Sequence, residues 1–188
     1  MNIIEKVKIE VNKLCDGYNN KFPFDNWKDH ISSVVKNALD LAQVYGADRE
    51  VVELGALLHD IARFAEDGPI ATHNVAGAKI AEEMLKRLGY EQEKIEIVKK
   101  CVLHHNSTSE GERSTLEEQC VGDGDALSHF DRIPSLFSRA YKELNLSIVD
   151  GKKFVRKQLE FDFERLSENT KRIARDRYNN IIKVLFSS

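Results

Sequence analysis

Val51-Val52-Glu53-Leu54-Gly55-Ala56-Leu57-Leu58-His59-Asp60 is the stretch that decides the fold of this chain. A run that is apolar except at Glu53 leads straight into an imidazole and a carboxylate. So apolar a helix belongs in a core, where a histidine and an aspartate are costly unless something pairs with them. Adjacent imidazole and carboxylate groups are a ready metal-binding pair. The rest of the chain therefore has to supply the missing partners.

Helical patterning extends in both directions from this stretch. Asp48 is a suitable N-cap for the helix that carries His59-Asp60, which is predicted to end near Gly68-Pro69. Upstream, Ile3, Ile4, Val7, Val11 and Leu14 recur at helical spacing, with Gly17 as a stop, and Phe22-Pro23-Phe24 forms an apolar connector. A second helix is predicted from about Asp25 to Tyr45, with Trp27, Ile31, Val34, Ala38 and Leu41 on one face and Gly46 at its end. Downstream, Asn74 is placed to cap a helix from Val75 to Leu88 that Gly89 closes, and another runs from about Glu91 to His105. Asn106 to Ser114 reads as a polar surface loop. Helical periodicity resumes from Leu116 to Phe130, Pro134 starts a further helix, and amphipathic helices over about Gly151–Leu166 and Thr170–Phe186 follow. No β-alternation of useful length and no internal repeat occurs. The expectation is a single all-α domain over 1–188, with a metal-binding core at about 26–130 and C-terminal helices at about 134–188 packing on it. The C-terminal pair suits either a cap or a dimer surface, so a homo-oligomer is compatible with the sequence.

Composition narrows the function classes. The chain has 188 residues, enough for one sizeable core, and 41% of them are hydrophobic, which excludes a disordered chain. A net charge of -3 gives no support to a nucleic-acid stripe or a polybasic membrane patch. No stretch approaches a membrane span. Three widely spaced cysteines, Cys15, Cys101 and Cys120, fit reduced thiols in a cytoplasmic protein better than a disulfide framework.

Partners for the doublet are present. His30, three residues beyond Trp27 and four before Val34, lies on the buried stripe of its helix. Asp125 lies four residues after Val121, on the same face. Two imidazoles and two carboxylates thus converge from three helices. Mixed N/O ligation of this kind suits Mn, Fe, Co, Ni or Zn without choosing among them.

Trp27-Lys28-Asp29-His30, Leu57-Leu58-His59-Asp60-Ile61 and Asp123-Gly124-Asp125-Ala126-Leu127 together resemble the HD-domain superfamily of metal-dependent phosphohydrolases over about residues 26 to 130. The resemblance implies an all-α, single-domain helical bundle of the HD-domain type. It implies His30, His59, Asp60 and Asp125 as metal ligands, and hydrolysis of a phosphate ester or anhydride, often in a nucleotide or another small phosphorylated metabolite. His73-Asn74-Val75-Ala76-Gly77-Ala78 and His104-His105 resemble segments of the relatives that hold a second ion, in which the doublet carboxylate, here Asp60, bridges two metals. His104 and His105 stand about 100° apart on a helix, so one of them turns inward, and the spacing to Thr115-Leu116-Glu117 slightly favours His105. Five of the six histidines fall in these motifs, which argues against chance placement, and only His129 is left over. A six-ligand version of the site also hosts di-iron oxygenase chemistry in some relatives, and a non-catalytic nucleotide-binding signalling domain is a third reading.

A divalent ion lowers the pKa of bound water toward roughly 7 and neutralises phosphoryl charge. Glu66 and Asp67 are candidate proton acceptors for a one-metal site. Arg63, one turn past the doublet, resembles a basic residue that many family members place there, and its fork suits a phosphate. Lys79, Arg113 and Arg132 are weaker candidates for the same role. Asp123 is expected to be a partner of the site or a solvated group. Lys152, Lys153, Arg156 and Lys157, followed by Glu160, Asp162 and Glu164, read as a solvated helix face. Gly122 and Gly124 suit close helix packing near the site.

Overall fold

A computed structural model describes residues 1–19, 25–65, 72–107 and 113–186. They form α1 (Ile3–Asn19), a π-helical turn (Trp27–Ile31) leading into α2 (Ser32–Tyr45), α3 (Arg49–Leu58), α4 (Ile61–Ala65), α5 (His73–Arg87) and α6 (Gln92–His104). These are followed by α7 (Leu116–Asp131), α8 (Ile133–Ser138) with a second π-helical turn (Arg139–Glu143), α9 (Ile148–Glu164) and α10 (Glu168–Phe186). There is no strand among the described residues, and the chain is a single-domain helical bundle.

The apolar run at 51–58 becomes α3, the central rod. Val51, Leu54, Leu57 and Leu58 face a core shared with α1, α5 and α6, whereas Val52 and Ala56 face one shared with α2 and α7. Each fully buried aliphatic side chain contributes about 1.5–3 kcal/mol, so this helix is pinned on both faces. Asp48 caps it as expected, its carboxylate accepting from the Glu50 and Val51 amides at 3.0 and 3.3 Å. Gly55 is where α3 passes closest to its neighbours: a Cβ there would stand 2.9 Å from Cys101 Cβ and 3.0 Å from Val121 Cγ2. A third apolar cluster joins Ala126 and Phe130 of α7 to Leu136, Val155, Leu159, Phe163 and Ala174, which seats α8, α9 and α10 on the end of α7.

Most helix ends fall where their signals predict. Gly46 and Gly89 adopt φ of 77° and 76° beyond α2 and α5, and Pro134 lies in the first turn of α8. Four details differ. Helix α1 continues through Gly17, because one glycine costs only about 1 kcal/mol and Val7, Val11 and Cys15 are anchored in the core. The helix bearing His59-Asp60 does not run unbroken past the doublet. It breaks there and restarts as α4, with the Arg63 amide donating to the Asp60 carbonyl at 2.9 Å. Asn74 does not cap α5; its side-chain amide donates to the Leu103 carbonyl at 2.8 Å and ties α5 to α6. Helix α9 starts earlier than Gly151, because the Ser147 hydroxyl accepts from the Asp150 amide at 3.1 Å. Phe22-Pro23-Phe24, Glu66, Asp67 and Gly68-Pro69 lie outside the described residues, as does the centre of the 106–114 loop.

Candidate metal centre

Three helix ends, the middle of α7 and one π-helical turn aim the site. The π turn at Trp27–Ile31 adds backbone inside an otherwise α-helical run and swings His30 toward the doublet. The break after α3 presents His59 and Asp60, the first turn of α5 presents His73, the end of α6 presents His105, and the middle of α7 presents Asp125. Gly77 lets α5 lie close to α6, since a Cβ there would be 3.2 Å from Val102 Cγ1.

The side chains divide into two halves that share Asp60. In the first, His30 Nε2 and His59 Nε2 lie 3.1 Å apart, with Asp60 Oδ2 3.7 Å from each and Asp125 Oδ1 at 3.4 and 3.7 Å. In the second, His73 Nε2 and His105 Nε2 lie 3.2 Å apart, and Asp60 Oδ1 stands 3.1 Å from His73 and 3.8 Å from His105. Each Asp60 oxygen thus faces a different histidine pair.

Outer hydrogen bonds fix the imidazole tautomers. His59 Nδ1 donates to the Ala56 carbonyl at 2.8 Å and His105 Nδ1 to the Val102 carbonyl at 2.7 Å. The Ser128 hydroxyl donates to the Asp125 carbonyl at 2.7 Å, so at 3.2 Å it accepts from His30 Nδ1. In the neutral rings, therefore, the Nε2 lone pairs of His30, His59 and His105 all point into the cluster. Two lone pairs 3.1 Å apart repel unless a cation or proton lies between them. Asp60 Oδ1 sharpens the point. Among the described residues it is the buried side-chain polar atom without a hydrogen bond, although His73 Nε2 stands 3.1 Å away. A buried, anionic, orphaned oxygen facing imidazole lone pairs fits a divalent metal. Groups able to hold an ion comprise His30, His59 and Asp60, then Asp60, His73 and His105, and also His30, Asp125 and His129.

Electrostatics favour the ligand-competent protonation states. Burial opposes charge on Asp60, yet Arg63 and His59 outweigh it and hold the carboxyl well below its usual range. Burial likewise opposes charge on Asp125, and Arg165 followed by His59 and His30 drives it far down. Burial lowers His30 and brings His105 down to about 4, so both rings are neutral at pH 7.

Other candidates distribute unevenly. His104 is not brought to the cluster; it turns about one helical step away and its Nδ1 donates to the buried Glu118 carboxylate at 2.7 Å. Arg63 donates to Asp60 Oδ2 at 2.7 Å and lines an open cleft that His30 also lines. Arg132 lines the same cleft, together with Arg139 and Leu136 from the segment after α7. Lys79 is exposed and outside that lining. Arg113 is half-buried away from the cleft and donates to Asp123 Oδ1 at 2.9 Å and to the Ser107 carbonyl at 2.7 Å, so it braces the fold. Asp123 is itself buried, accepting from Arg113 and from the Ser167 amide at 3.0 Å.

The sequence reading missed three residues. His129 also lines the cleft, stacks on His30 at 5.5 Å between ring centroids, and donates from Nδ1 to Asp162 Oδ2 at 2.8 Å. Asp162 is not on a solvated face; it is fully buried, because its side of α9 turns toward α7. Burial opposes charge on His129, but Asp162 overrides it and raises the ring above its ordinary value. Arg165 is buried and donates to Asp125 Oδ2 at 2.8 Å. The one available signal was apolar spacing: Val155, Leu159 and Asp162 fall on one face of α9.

Comparison with known proteins gives the family and the fold. The model of the HD domain family matches residues 27–129, more than half of the chain. A crystal structure titled as a "predicted HD superfamily hydrolase" from an uncultured Thermotogales bacterium superposes with a TM-score of 0.60 at 22% identity, covering 92% of this chain and 91% of that one. That likeness shows the fold. A tRNA (cytidine(56)-2'-O)-methyltransferase of Picrophilus torridus is 29% identical over 132 residues, 65% of this chain and 37% of the relative. A bifunctional uridylyltransferase/uridylyl-removing enzyme of Phenylobacterium zucineum is 34% identical over 104 residues, 55% of this chain and 10% of the relative. A symmetrical bis(5'-nucleosyl)-tetraphosphatase of Halalkalibacterium halodurans is 42% identical over 43 residues, 23% of each. The chain thus spans well under half the length of these curated relatives. With the family match running from the π-helical turn of His30 to His129, the chain belongs to the HD-domain family.

Proposed function

We propose that this protein is a metal-dependent phosphohydrolase that cleaves a phosphate ester or anhydride of a nucleotide or another small phosphorylated metabolite. The observation that carries the reading is Asp60, whose two buried oxygens face two separate histidine pairs. On this reading His30, His59, Asp60 and Asp125 hold one divalent ion, and His73 and His105 hold a second across Asp60. The ions would supply Lewis-acid polarisation of the phosphoryl group and ionise water near neutral pH. Among the chain's own groups, Arg63 keeps Asp60 ionised and stands at the cleft floor where a phosphoryl oxygen arrives. His129, fixed by Asp162, lines the same cleft, and Arg132 and Arg139 add positive charge there that suits an anionic leaving group. A nucleotide-type substrate is supported by two relatives whose names speak of nucleotidyl chemistry, the tetraphosphatase and the uridylyl-removing enzyme. We further take residues 1–188 as one domain, with a metal-binding core over about 26–130 and the C-terminal helices packed on it. Three free, buried cysteines support a cytoplasmic setting.

Metal analysis followed by a panel of phosphate esters, nucleotides and dinucleoside polyphosphates in Mn, Co or Ni tests the reading. Release of phosphate or nucleotide without oxygen uptake is expected. A protein that takes up none of these ions and is inert on the panel would falsify it.

A further inference from the structure

We infer that Arg165, beyond the residues matched to the family, is a positioning residue that turns Asp125 into the metal centre and locks it to the segment bearing His105. The inference rests on the metal-site reading above. The Arg165 side chain is 2% exposed, and it spreads its donors over four partners. Nη2 donates to Asp125 Oδ2 at 2.8 Å, Nη1 to the carbonyls of His105 at 2.9 Å and Gly122 at 3.3 Å, and Nε to Asp162 Oδ1 at 2.9 Å. By occupying Oδ2, the guanidinium leaves Oδ1 as the Asp125 oxygen turned toward His30 and His59. A planar fork does this at a fixed angle, whereas an ammonium is a point charge with no preferred plane. The arginine is itself held from behind, because its carbonyl accepts from Arg113 Nη2 at 2.6 Å. Asp162 joins the same node to His129, so one guanidinium touches groups from both halves of the centre and, through Asp162, reaches a residue of the cleft.

The neighbouring Arg113 provides the contrast. Its side chain is also largely enclosed, at 9% exposed, and well hydrogen-bonded, but it contacts none of the proposed ligands. Co²⁺ titration followed by its visible d–d absorption, with metal-free melting curves alongside, separates positioning from bracing. Arg165→Lys is expected to weaken Co²⁺ binding about 10–100-fold, the range typical for losing an outer partner of a ligand, and to change the band envelope. Arg113→Lys is expected to lower the melting temperature and to weaken Co²⁺ binding far less than Arg165→Lys does, because Arg113 reaches the centre only through the Arg165 carbonyl. Equal losses of affinity in both variants, or wild-type affinity in Arg165→Lys, overturn the assignment. Should Arg165→Lys not fold, Asp162→Asn decides: it keeps the arginine and removes one anchor, so affinity should fall by less, and unchanged affinity refutes the proposal. Failure of the wild-type protein to bind Co²⁺ overturns the metal-centre reading as well, whereas normal wild-type binding with an indifferent Arg165 overturns this proposal alone.

Discussion

Asp60 concentrates the chemistry at the residue scale. Its neighbours His59 and Arg63 overcome its desolvation, and its Oδ1 is left for a cation. Asp60→Ala and His59→Ala are each expected to reduce metal affinity by more than about 100-fold, beyond the usual loss for an outer partner, and to abolish turnover. Calorimetric metal titration checks this, and near-normal uptake in both variants would contradict the assignment. The cysteines give an independent residue-scale prediction. Burial pushes the Cys15 and Cys120 thiols up to about 12 and the Cys101 thiol well above its usual value. The thiolate is the nucleophile, so at pH 8 the folded protein should react with iodoacetamide far more slowly than the urea-unfolded chain. Rapid labelling of all three thiols in the native protein would show that the cores holding them open readily.

At the element scale, helix pairs set the distances between ligands. Helices α2 and α7 carry His30's turn and Asp125, and they meet at Gly124, where a Cβ would lie 2.8 Å from both the Cβ and the amide nitrogen of Ala38. Gly124→Ala should therefore force α2 and α7 apart. We expect a net loss of about 1–3 kcal/mol, against an intrinsic helix gain for alanine of up to about 1 kcal/mol. Urea denaturation measures it, and a variant as stable as wild type would mean that the two helices are free to separate. The π-helical turn before α2 works the other way, since it reorients one side chain without displacing the helix.

For the whole molecule, a centre that collects buried carboxylates and facing lone pairs is strained until a cation arrives. Saturating metal should stabilise the fold by mass action. At a hundredfold excess over Kd the gain is about 2.7 kcal/mol, or roughly 5–10 °C in melting temperature for a chain of this size. Thermal scans with Mn²⁺ and with a chelator read this directly, and coincident curves would count against a resident ion. The C-terminal helices pack on the same core: α9 and α10 bury Phe163 and Ala174 in a cluster with Phe130, and α9 with its C-cap carries Asp162 and Arg165 to the site.

The sequence alone determined the helical bundle, the central place of 51–58, and the set His30, His59, Asp60 and Asp125. Each of these shows in local periodicity, or in a polar residue standing on an apolar face. The resemblance to HD-domain proteins suggested His73 and the His104-His105 doublet for a second position. The tertiary structure alone decided which doublet member turns inward, because that depends on Glu118 capturing His104 from another helix. It alone brought in His129, Asp162 and Arg165, which pair across 33 and 40 residues and carry no local signature. A charged residue on an amphipathic helix looks the same in sequence whether it faces water or a buried carboxylate. Only packing supplies the low-dielectric surroundings in which pairing becomes strong enough to fix a site.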